Sequence, residues 1–427
     1  MEESRQKKRK KGRSTEIRTF SVPFTIDEVK DKSPSNLPSK SLKEQLINKA
    51  INFHLEGKID KAEQYYQLCL NQGLTDHRVF SNYGLILKGY GKLKEAEIFT
   101  RKAIELNPNC AEAYSNLGTI LNDLGKRQEA IKEWIKSVKL KPEREQLVKT
   151  LALNLCLDRK YELALNYLSK TKSNYCQSLY LGCLLSLDKE QEFTKKYQKL
   201  YRKMTCNACI GGIVEHANII YKKKYDSPFC NKAINYILIE RIDEEFFSNN
   251  DLNQLISLLR NKQMITRDQG ILCNGIQTSG NLFSLNYPYI KLIKKVLRHK
   301  IELYREKYKD SGQGFINNWP QSYELRSWMI GMKNGGFLKP HNHEYGWITG
   351  SFYLQIPKYN NNNNHSGDIA FSYKGPQFPE KDMNFNLTIK KIKTRDICIF
   401  PSSLFHHTIP FESTEDRICF VFDLVQK

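Results

Sequence analysis

"GKLKEAEIFTRKAIELNPNCAEAYSNLG", residues 91–118, is the stretch that decides the fold of the first half of the chain. Its first alanine belongs to a column of alanines spaced 34 residues apart: Ala62, Ala96, Ala130 and Ala164. Its last glycine belongs to a second column with the same interval: Ala50, Gly84, Gly118 and Ala152. A fixed period of about 20–50 residues indicates stacked structural repeats.

Each repeat is predicted to be a pair of helices, because small residues in both columns let two helices approach closely. Pro108 and Pro142 follow the second helix of their repeats and end it, since proline cannot continue the helical hydrogen bonding. These columns resemble the tetratricopeptide repeat over residues 43 to about 176. The resemblance implies an all-α solenoid, predicted for residues 43–205 with capping helices, whose concave surface binds a protein or an extended peptide.

The formal net charge of +21 comes partly from a basic arm at the N-terminus, where seven of the nine residues 5–13 are Lys or Arg. Such a run buries too little apolar surface to offset chain entropy, so residues 1–42 are predicted to be a disordered arm. The sequence does not favour a nucleic-acid partner for the folded domains, although this arm is basic enough to contact an anionic one.

No run approaches the roughly 18–20 apolar residues that a bilayer-spanning helix needs. No apolar segment follows the N-terminal charges, so the sequence predicts neither a membrane anchor nor a signal peptide. The 11 cysteines are scattered through apolar patterns, as expected of thiols in a reducing compartment. We therefore expect a cytoplasmic protein.

A second domain is predicted for residues 206–427, where the 34-residue period disappears. Helical patterns continue through "NYILIERIDEEFF" (235–247) and "YIKLIKKVLRHKIELYREKY" (289–308). After Gly312, short segments rich in β-branched and aromatic residues are separated by Gly, Pro and Asn. The sequence therefore predicts an α+β multidomain chain whose C-terminal part is a barrel or double-sheet jelly roll, a double-stranded β-helix with flanking helices.

Five of the nine histidines fall between residues 341 and 407. His341 and His343 in "KPHNHEYGW" (339–347) project to the same face if they lie on a strand, so both are able to reach one metal ion. His406 and His407 follow a predicted buried strand and face opposite ways, so one of them is a candidate third ligand. Arg417 begins the last strand, and a buried cation there requires an anionic partner.

These motifs together resemble the 2-oxoglutarate- and Fe(II)-dependent oxygenase superfamily, and within it a bacterial family with HxH, SG, FPS and a distal histidine. The resemblance is strong over about 320–427 and weaker over 230–320. The matching residues are His341 and His343, Thr349 and Gly350, Phe400 to Ser402, His406, Pro410 and Arg417. His407 falls on a variable position of the motif.

The resemblance implies Fe(II) and 2-oxoglutarate as cofactors, with Arg417 binding the far carboxylate of 2-oxoglutarate and with Tyr353, Thr349 and Ser402 near it. It also implies His341 and His406 as iron ligands. The common motif has a carboxylate where this chain has His343, so the third ligand is left open. The alternatives are His343 itself, a carboxylate from Glu344 or Asp368, or water, and His407 is a further alternative ligand.

The predicted function is hydroxylation of a C–H bond in a protein or peptide that the repeats recruit. Two other classes remain open at this point. One is an interaction scaffold whose barrel is degenerate and non-catalytic, and the other is a three-histidine, cupin-type dioxygenase that does not use 2-oxoglutarate.

Overall fold

The computed structural model describes residues 42–201, 207–261, 264, 266–267, 269–358, 365–376, 378–379, 381 and 383–427. The basic arm predicted for residues 1–42 lies outside these ranges except for its last residue. The expectation for the arm, like the domain boundary at 205/206, stays a prediction.

The first half of the described chain consists of helices that pack in consecutive antiparallel pairs, as the 34-residue period predicts. The helices are α1 (Leu42–Leu55), α2 (Ile59–Asn71), α3 (His77–Gly89), α4 (Leu93–Leu106), α5 (Ala111–Asp123), α6 (Arg127–Leu140), α7 (Glu145–Leu157), α8 (Tyr161–Leu168), α9 (Asn174–Ser186) and α10 (Glu190–Tyr201). The pair α9–α10 extends the array beyond the last residue column seen in the sequence.

The two small-residue columns lie where the helices of a pair approach most closely. A Cβ atom built on Gly84 would lie 2.5 Å from the hydroxyl of Thr100, and one built on Gly118 would lie 2.6 Å from Nε1 of Trp134. Such separations are too short for contact, so these positions tolerate no larger residue without a shift of the neighbouring helix.

We expect Gly118→Ala to lower the thermal stability of the chain although alanine is the better helix former. The new methyl group overpacks against Trp134, at a cost of about 1–3 kcal/mol, whereas the gain in helix propensity is only about 0.5–1 kcal/mol. The control is Gly89→Ala, because a Cβ there meets nothing within 4 Å. In thermal unfolding followed by circular dichroism, Gly89→Ala should hold or raise the midpoint; a raised midpoint for Gly118→Ala would contradict the packing argument.

Helix α11 (Ala208–Ile220) joins the repeats to the second half. Its buried residues Ile213, Val214 and Ala217 pack in the same hydrophobic cluster as helices α5 to α10. Phe378 and Phe405 from the strand-rich part belong to this cluster as well. The repeats and the strand-rich part are therefore joined by a shared core.

The described residues of the second half form two antiparallel sheets, of seven and three strands, which confirms the predicted double-sheet architecture. The strands are β1 (Leu238–Arg241), β2 (Thr266–Arg267), β3 (Leu272–Thr278), β4 (Tyr323–Leu338), β5 (Ile348–Gln355), β6 (Ile369–Ser372), β7 (Thr388–Lys390), β8 (Asp396–Pro401), β9 (Phe405–Thr408) and β10 (Arg417–Gln426). The larger sheet has the order β1-β8-β5-β10-β4-β3-β2 and the smaller has β7-β6-β9.

The flanking helices are α12 (Asn249–Arg260), α13 (Pro288–Lys307) and α14 (Gly314–Asn317). The helical pattern over 289–308 is confirmed by α13. The helical pattern over 235–247 is wrong, because residues 238–241 form the edge strand β1 against β8. Pairing with an existing sheet outweighs the local preference of such a short segment.

Strand β10 lies in the middle of the larger sheet, between β4 and β5, and its two faces differ. Alternate residues Ile418, Phe420, Phe422 and Leu424 are fully buried apolar side chains. The intervening positions 417, 419 and 421 line a cleft between the sheets. The two-residue period of the strand therefore places Arg417 on the cleft side.

None of the helices in the described ranges combines the length and apolar composition that crossing a bilayer requires.

Candidate metal centre

Backbone pairing brings the two histidine motifs together at the cleft. His341 and His406 exchange backbone hydrogen bonds, with N···O distances of 3.0 Å and 2.9 Å. The backbone N–H of His343 donates to the carbonyl oxygen of Ser402 at 3.2 Å. Segments that are about 65 residues apart in sequence are thereby fixed side by side.

The side chains of His341, His343 and His406 converge. One ring nitrogen from each lies within 4.8 Å of the others, and among the described residues this is the one such group of His, Cys, Asp or Glu side chains. The ring centroids are 5.3 Å apart for His341 and His343, 4.4 Å for His341 and His406, and 5.2 Å for His343 and His406. Three imidazoles on one face match the preference of first-row transition metals such as Fe and Zn.

Hydrogen bonds fix the tautomer of each imidazole. Nδ1 of His341 lies 2.8 Å from the carbonyl oxygen of Lys339, and Nδ1 of His406 lies 3.2 Å from that of Leu404. Because a carbonyl oxygen only accepts, each Nδ1 carries the proton and donates. Nδ1 of His343 donates in the same way to the carboxylate of Asp423 at 2.6 Å. All three Nε2 lone pairs are therefore free for a metal, the arrangement that orients metal-binding histidines in other proteins.

Burial keeps His341 and His406 neutral. Together with a smaller effect of the neighbouring His343, it lowers the pKa of His341 to about 3. Burial likewise lowers the pKa of His406 well below its usual value, with added effects of His341 and His343. A cation binding at pH 7 therefore displaces no proton from these two rings.

The other candidate ligands lie outside the triad. Oδ1 of Asp368 accepts from the backbone N–H of Ile392 at 3.2 Å, and Oδ2 lies 3.3 Å from Nδ1 of His365. Glu344 is directed toward Lys149 and Tyr175 of the repeats; burial raises the pKa of its carboxyl, and these two residues offset part of the rise. His407 pairs with Ala370 on strand β6 and is partly exposed. The described structure thus groups neither carboxylate nor His407 with the three histidines.

Arg417 is a buried cation in the same cleft, with only 2% of its surface exposed. Its Nε donates to the carbonyl oxygen of Gly367 at 2.9 Å, and its guanidinium lies 5.2 Å from the ring centroid of Tyr353. Among the described residues no carboxylate lies within 4.0 Å of it. A buried charge without a counter-charge is strongly unfavourable, so this site is suited to an anionic ligand.

The cleft between the histidines and Arg417 encloses about 420 Å³ of space, part of which is open to solvent. Tyr353 and Trp328 line it, and Tyr353 Oη and Trp328 Nε1 are buried without a hydrogen-bond partner among the described residues. Buried donors are normally satisfied, so a ligand with acceptor groups fits this space.

The two other predicted cosubstrate residues have different surroundings. Thr349 Oγ1 lies 3.0 Å from Nδ1 of His343 and donates to the carbonyl oxygen of Phe422 at 3.2 Å, so it contacts a candidate ligand instead of the cleft. Ser402 is fully buried against Gly346, where a Cβ atom would lie 2.4 Å from its Oγ. The structure therefore brings Tyr353 and Arg417 to the cleft, with Thr349 and Ser402 behind the histidines.

Asp423 and Trp328 are site residues that the sequence reasoning missed. Oδ1 of Asp423 lies 2.6 Å from Nδ1 of His343. The Trp328 ring stacks on the His343 ring, with 5.7 Å between the ring centroids. The signal for Asp423 was present, since it lies six residues after Arg417 on the same strand face and is the one acid in "RICFVFDLV".

We expect Asp423→Asn to weaken metal binding by about 10–100-fold, because the loss of an outer-shell carboxylate loosens the orientation and basicity of its histidine. Cobalt(II) titration of the full chain, followed by visible absorption, measures the change. Asp396→Asn is the control, since that carboxylate accepts from the backbone N–H of Lys393 at 2.7 Å at the start of strand β8 and is not in the triad. Equal affinities of the two variants would contradict the assigned role of Asp423.

Comparison with known families agrees with this geometry. A family model described as "Putative 2OG-Fe(II) oxygenase" matches residues 326–423, and a tetratricopeptide repeat model matches residues 77–110 and 111–144. No curated protein matches the chain.

Several solved structures are similar to the chain at low sequence identity. Pseudomonas aeruginosa pilF is 15% identical over 42% of this chain and 84% of its own, with a TM-score of 0.36. MamA is 18% identical over 36% of this chain and 81% of its own, with a TM-score of 0.26. A mutant Thermobaculum terrenum O-GlcNAc transferase is 20% identical over 30% of this chain and 26% of its own, with a TM-score of 0.28.

The two motif resemblances found in the sequence are thus confirmed: tetratricopeptide repeats within residues 77–144 share one chain with a domain, residues 326–423, that matches the 2-oxoglutarate–Fe(II) oxygenase family.

Proposed function

We propose that this protein is an Fe(II)- and 2-oxoglutarate-dependent oxygenase that hydroxylates a C–H bond of a protein or peptide. The observation that carries the proposal is the pairing, in one cleft, of three convergent imidazoles with a buried arginine that has no carboxylate partner among the described residues. The three imidazoles would bind a metal ion, and a dianion bound to that metal would pair with the arginine.

His341, His343 and His406 would hold Fe(II) through Nε2, and Arg417 would bind the far carboxylate of 2-oxoglutarate by charge-assisted hydrogen bonds. When bound, iron and 2-oxoglutarate supply the oxidation of a C–H bond by O2, with succinate and CO2 as co-products. In this proposal His343 takes the place of the more common carboxylate, and Asp423 supplies a negative charge behind it.

The chain's other cleft residues would orient the cosubstrate and exclude water. Tyr353 lies beside Arg417 and offers an unpartnered hydroxyl to the same carboxylate. Ile330, Leu338 and Ile369 line the cleft with apolar surface. Low polarity around the charged groups strengthens their interaction.

The repeats support a protein or peptide as substrate, because tetratricopeptide arrays generally bind other proteins on extended concave surfaces. The ten cysteines within the described ranges are free thiols, which fits a reducing compartment such as the cytoplasm. We propose both the peptide substrate and the cytoplasmic location on these grounds.

The test is succinate formation by the purified full chain supplied with Fe(II), 2-oxoglutarate and air. We expect 2-oxoglutarate-dependent succinate even without substrate, and candidate peptides that gain one oxygen atom in mass spectrometry. Bound iron without any succinate, with or without peptides, would overturn the proposal.

A three-histidine dioxygenase that does not use 2-oxoglutarate is the second candidate. The absence of a carboxylate from the described ligand group favours it. Oxygen consumption by the iron-loaded chain in the absence of 2-oxoglutarate would support this candidate. No iron binding at all would favour an interaction scaffold with a degenerate barrel.

A further inference from the structure

The segment that carries two of the metal ligands is held by the helical half of the molecule. This metal segment, residues 341–345, is contacted by helices α7, α9 and α11. All three contacts join residues far apart in sequence. The helical half therefore contacts the segment that carries two of the candidate metal ligands.

Lys149 on α7 makes the closest of these contacts. Its ammonium lies 3.7 Å from the ring centroid of Tyr175 on α9 and 4.7 Å from that of Tyr345. It also donates a hydrogen bond to the hydroxyl of Tyr345. The two tyrosine rings stack nearly parallel, 6.3 Å apart at 7°. We call Lys149, Tyr175 and Tyr345 the lysine clamp.

Glu344 lies between the clamp and the metal ligand His343. Its carboxyl interacts with Lys149 and with the Tyr175 hydroxyl, and its backbone oxygen accepts from the thiol of Cys209 on α11 at 3.1 Å. Helix α11 also approaches the segment closely at Gly212, where a Cβ atom would lie 3.1 Å from Nδ2 of Asn342. The residues on both sides of His343 are thus fixed by helices.

A lysine between two aromatic faces is held by cation–π attraction to each ring, and more strongly where water is excluded. Tyr345 itself is 61% exposed. The clamp therefore stands at the surface where the repeats meet the metal segment, two residues from His343.

We infer that Lys149 is a positioning residue for the metal centre, acting through Tyr345 and Glu344. The inference rests on the proposed metal site.

Cobalt(II) is the probe, because its visible spectrum reports ligand geometry as well as binding. In the full chain we expect Lys149→Met to weaken cobalt(II) binding about tenfold, as for loss of an outer-shell contact, and to alter the visible bands. Lys149→Arg should restore most of the affinity, since arginine keeps the cation–π contacts. Tyr345→Phe, which keeps the ring and removes the hydroxyl, should show a smaller loss in the same direction.

Lys196→Met is the matched control, because Lys196 lies 4.5 Å from the ring centroid of Tyr180 within the repeats, remote from the metal segment. Its cobalt(II) affinity and spectrum should equal those of the wild type. Unfolding midpoints are measured for every variant, so that loss of folded protein is separated from loss of affinity.

Wild-type cobalt(II) affinity and bands in both Lys149→Met and Tyr345→Phe would overturn the inference while leaving the metal site intact. An equal loss in Lys149→Met, Lys149→Arg and Lys196→Met would also overturn it, because the effect would then be structural. Undiminished binding by His406→Ala would instead contradict the metal site itself.

Discussion

His406→Ala is expected to abolish metal binding and succinate formation in the otherwise folded chain. His406 supplies one of three convergent nitrogens, and its backbone pairs with that of His341. Removal of a direct ligand should cost more than the roughly 10–100-fold that is typical of an outer-shell partner. We therefore expect cobalt(II) affinity to fall by more than about 100-fold and succinate to be undetectable.

The neighbouring residue offers a matched control. His407 lies one position along the same strand, pairs with Ala370 and faces away from the triad. His407→Ala removes the same chemical group from the same strand, so folding costs specific to β9 appear in both variants. Near-normal cobalt(II) affinity in His407→Ala, with no binding in His406→Ala, would identify His406 as the ligand. Loss of binding in His407→Ala alone would identify His407 as the ligand instead.

The same comparison tests the open carboxylate question. Asp368→Asn and Glu344→Gln keep size and hydrogen bonding while removing the charge. We expect Asp368→Asn to bind cobalt(II) as the wild type does, because its oxygens are engaged with Ile392 and His365. A loss comparable to that of His406→Ala would mean that a carboxylate completes the site in place of His343.

The sequence predicted the repeats because their packing demands a small residue at fixed positions. Gly118 and Gly84 are visible in the sequence for the same reason that they matter in the structure: a methyl group has no room there. The strands of the second half were similarly visible, because β-branched and aromatic residues alternate with turn residues. Strand β1 was missed, since its existence depends on the edge of β8 and not on its own four residues.

The site was only partly predictable. His341, His343, His406 and Arg417 have recognisable side chains, but two of the groups that fix the imidazoles are the backbone carbonyls of Lys339 and Leu404. Every residue has a backbone carbonyl, so the residue types in a sequence do not show which carbonyls accept these hydrogen bonds. The contact of Lys149 with Tyr345 spans 196 residues, so no local pattern could have revealed it.

Arg417→Met is the second variant with a large expected effect. It should weaken the binding of 2-oxoglutarate and raise the stability of the unloaded chain. Loss of the guanidinium removes the charge-assisted hydrogen bonds to the far carboxylate of 2-oxoglutarate. Truncating one partner of a buried charge pair costs about 2–5 kcal/mol, so the KM for 2-oxoglutarate should rise by roughly 30- to 4,000-fold, since about 1.4 kcal/mol corresponds to a factor of ten. Cobalt(II) affinity should be retained, because Arg417 is not in the ligand group.

The unloaded chain should become no less stable, and we expect it to gain about 1–3 kcal/mol. An uncompensated buried cation is costly, and methionine fills similar volume without charge. Arg395 provides the contrast: it is 3% exposed, its guanidinium donates to Phe247 O at 2.8 Å and Asn249 Oδ1 at 2.7 Å, and Glu244 lies 3.9 Å away. Arg395→Met should therefore lower the unfolding midpoint and leave the KM for 2-oxoglutarate unchanged in the protein that remains folded.

Thermal unfolding with and without 2-oxoglutarate, at a fixed cobalt(II) concentration, separates the two roles. The wild type should be stabilised by 2-oxoglutarate according to its affinity. Arg417→Met should show a higher midpoint without 2-oxoglutarate and almost no further rise with it. If Arg417→Met is instead destabilised as strongly as Arg395→Met and still binds 2-oxoglutarate, Arg417 is a structural residue, and the strongest support for a dianionic cosubstrate is lost.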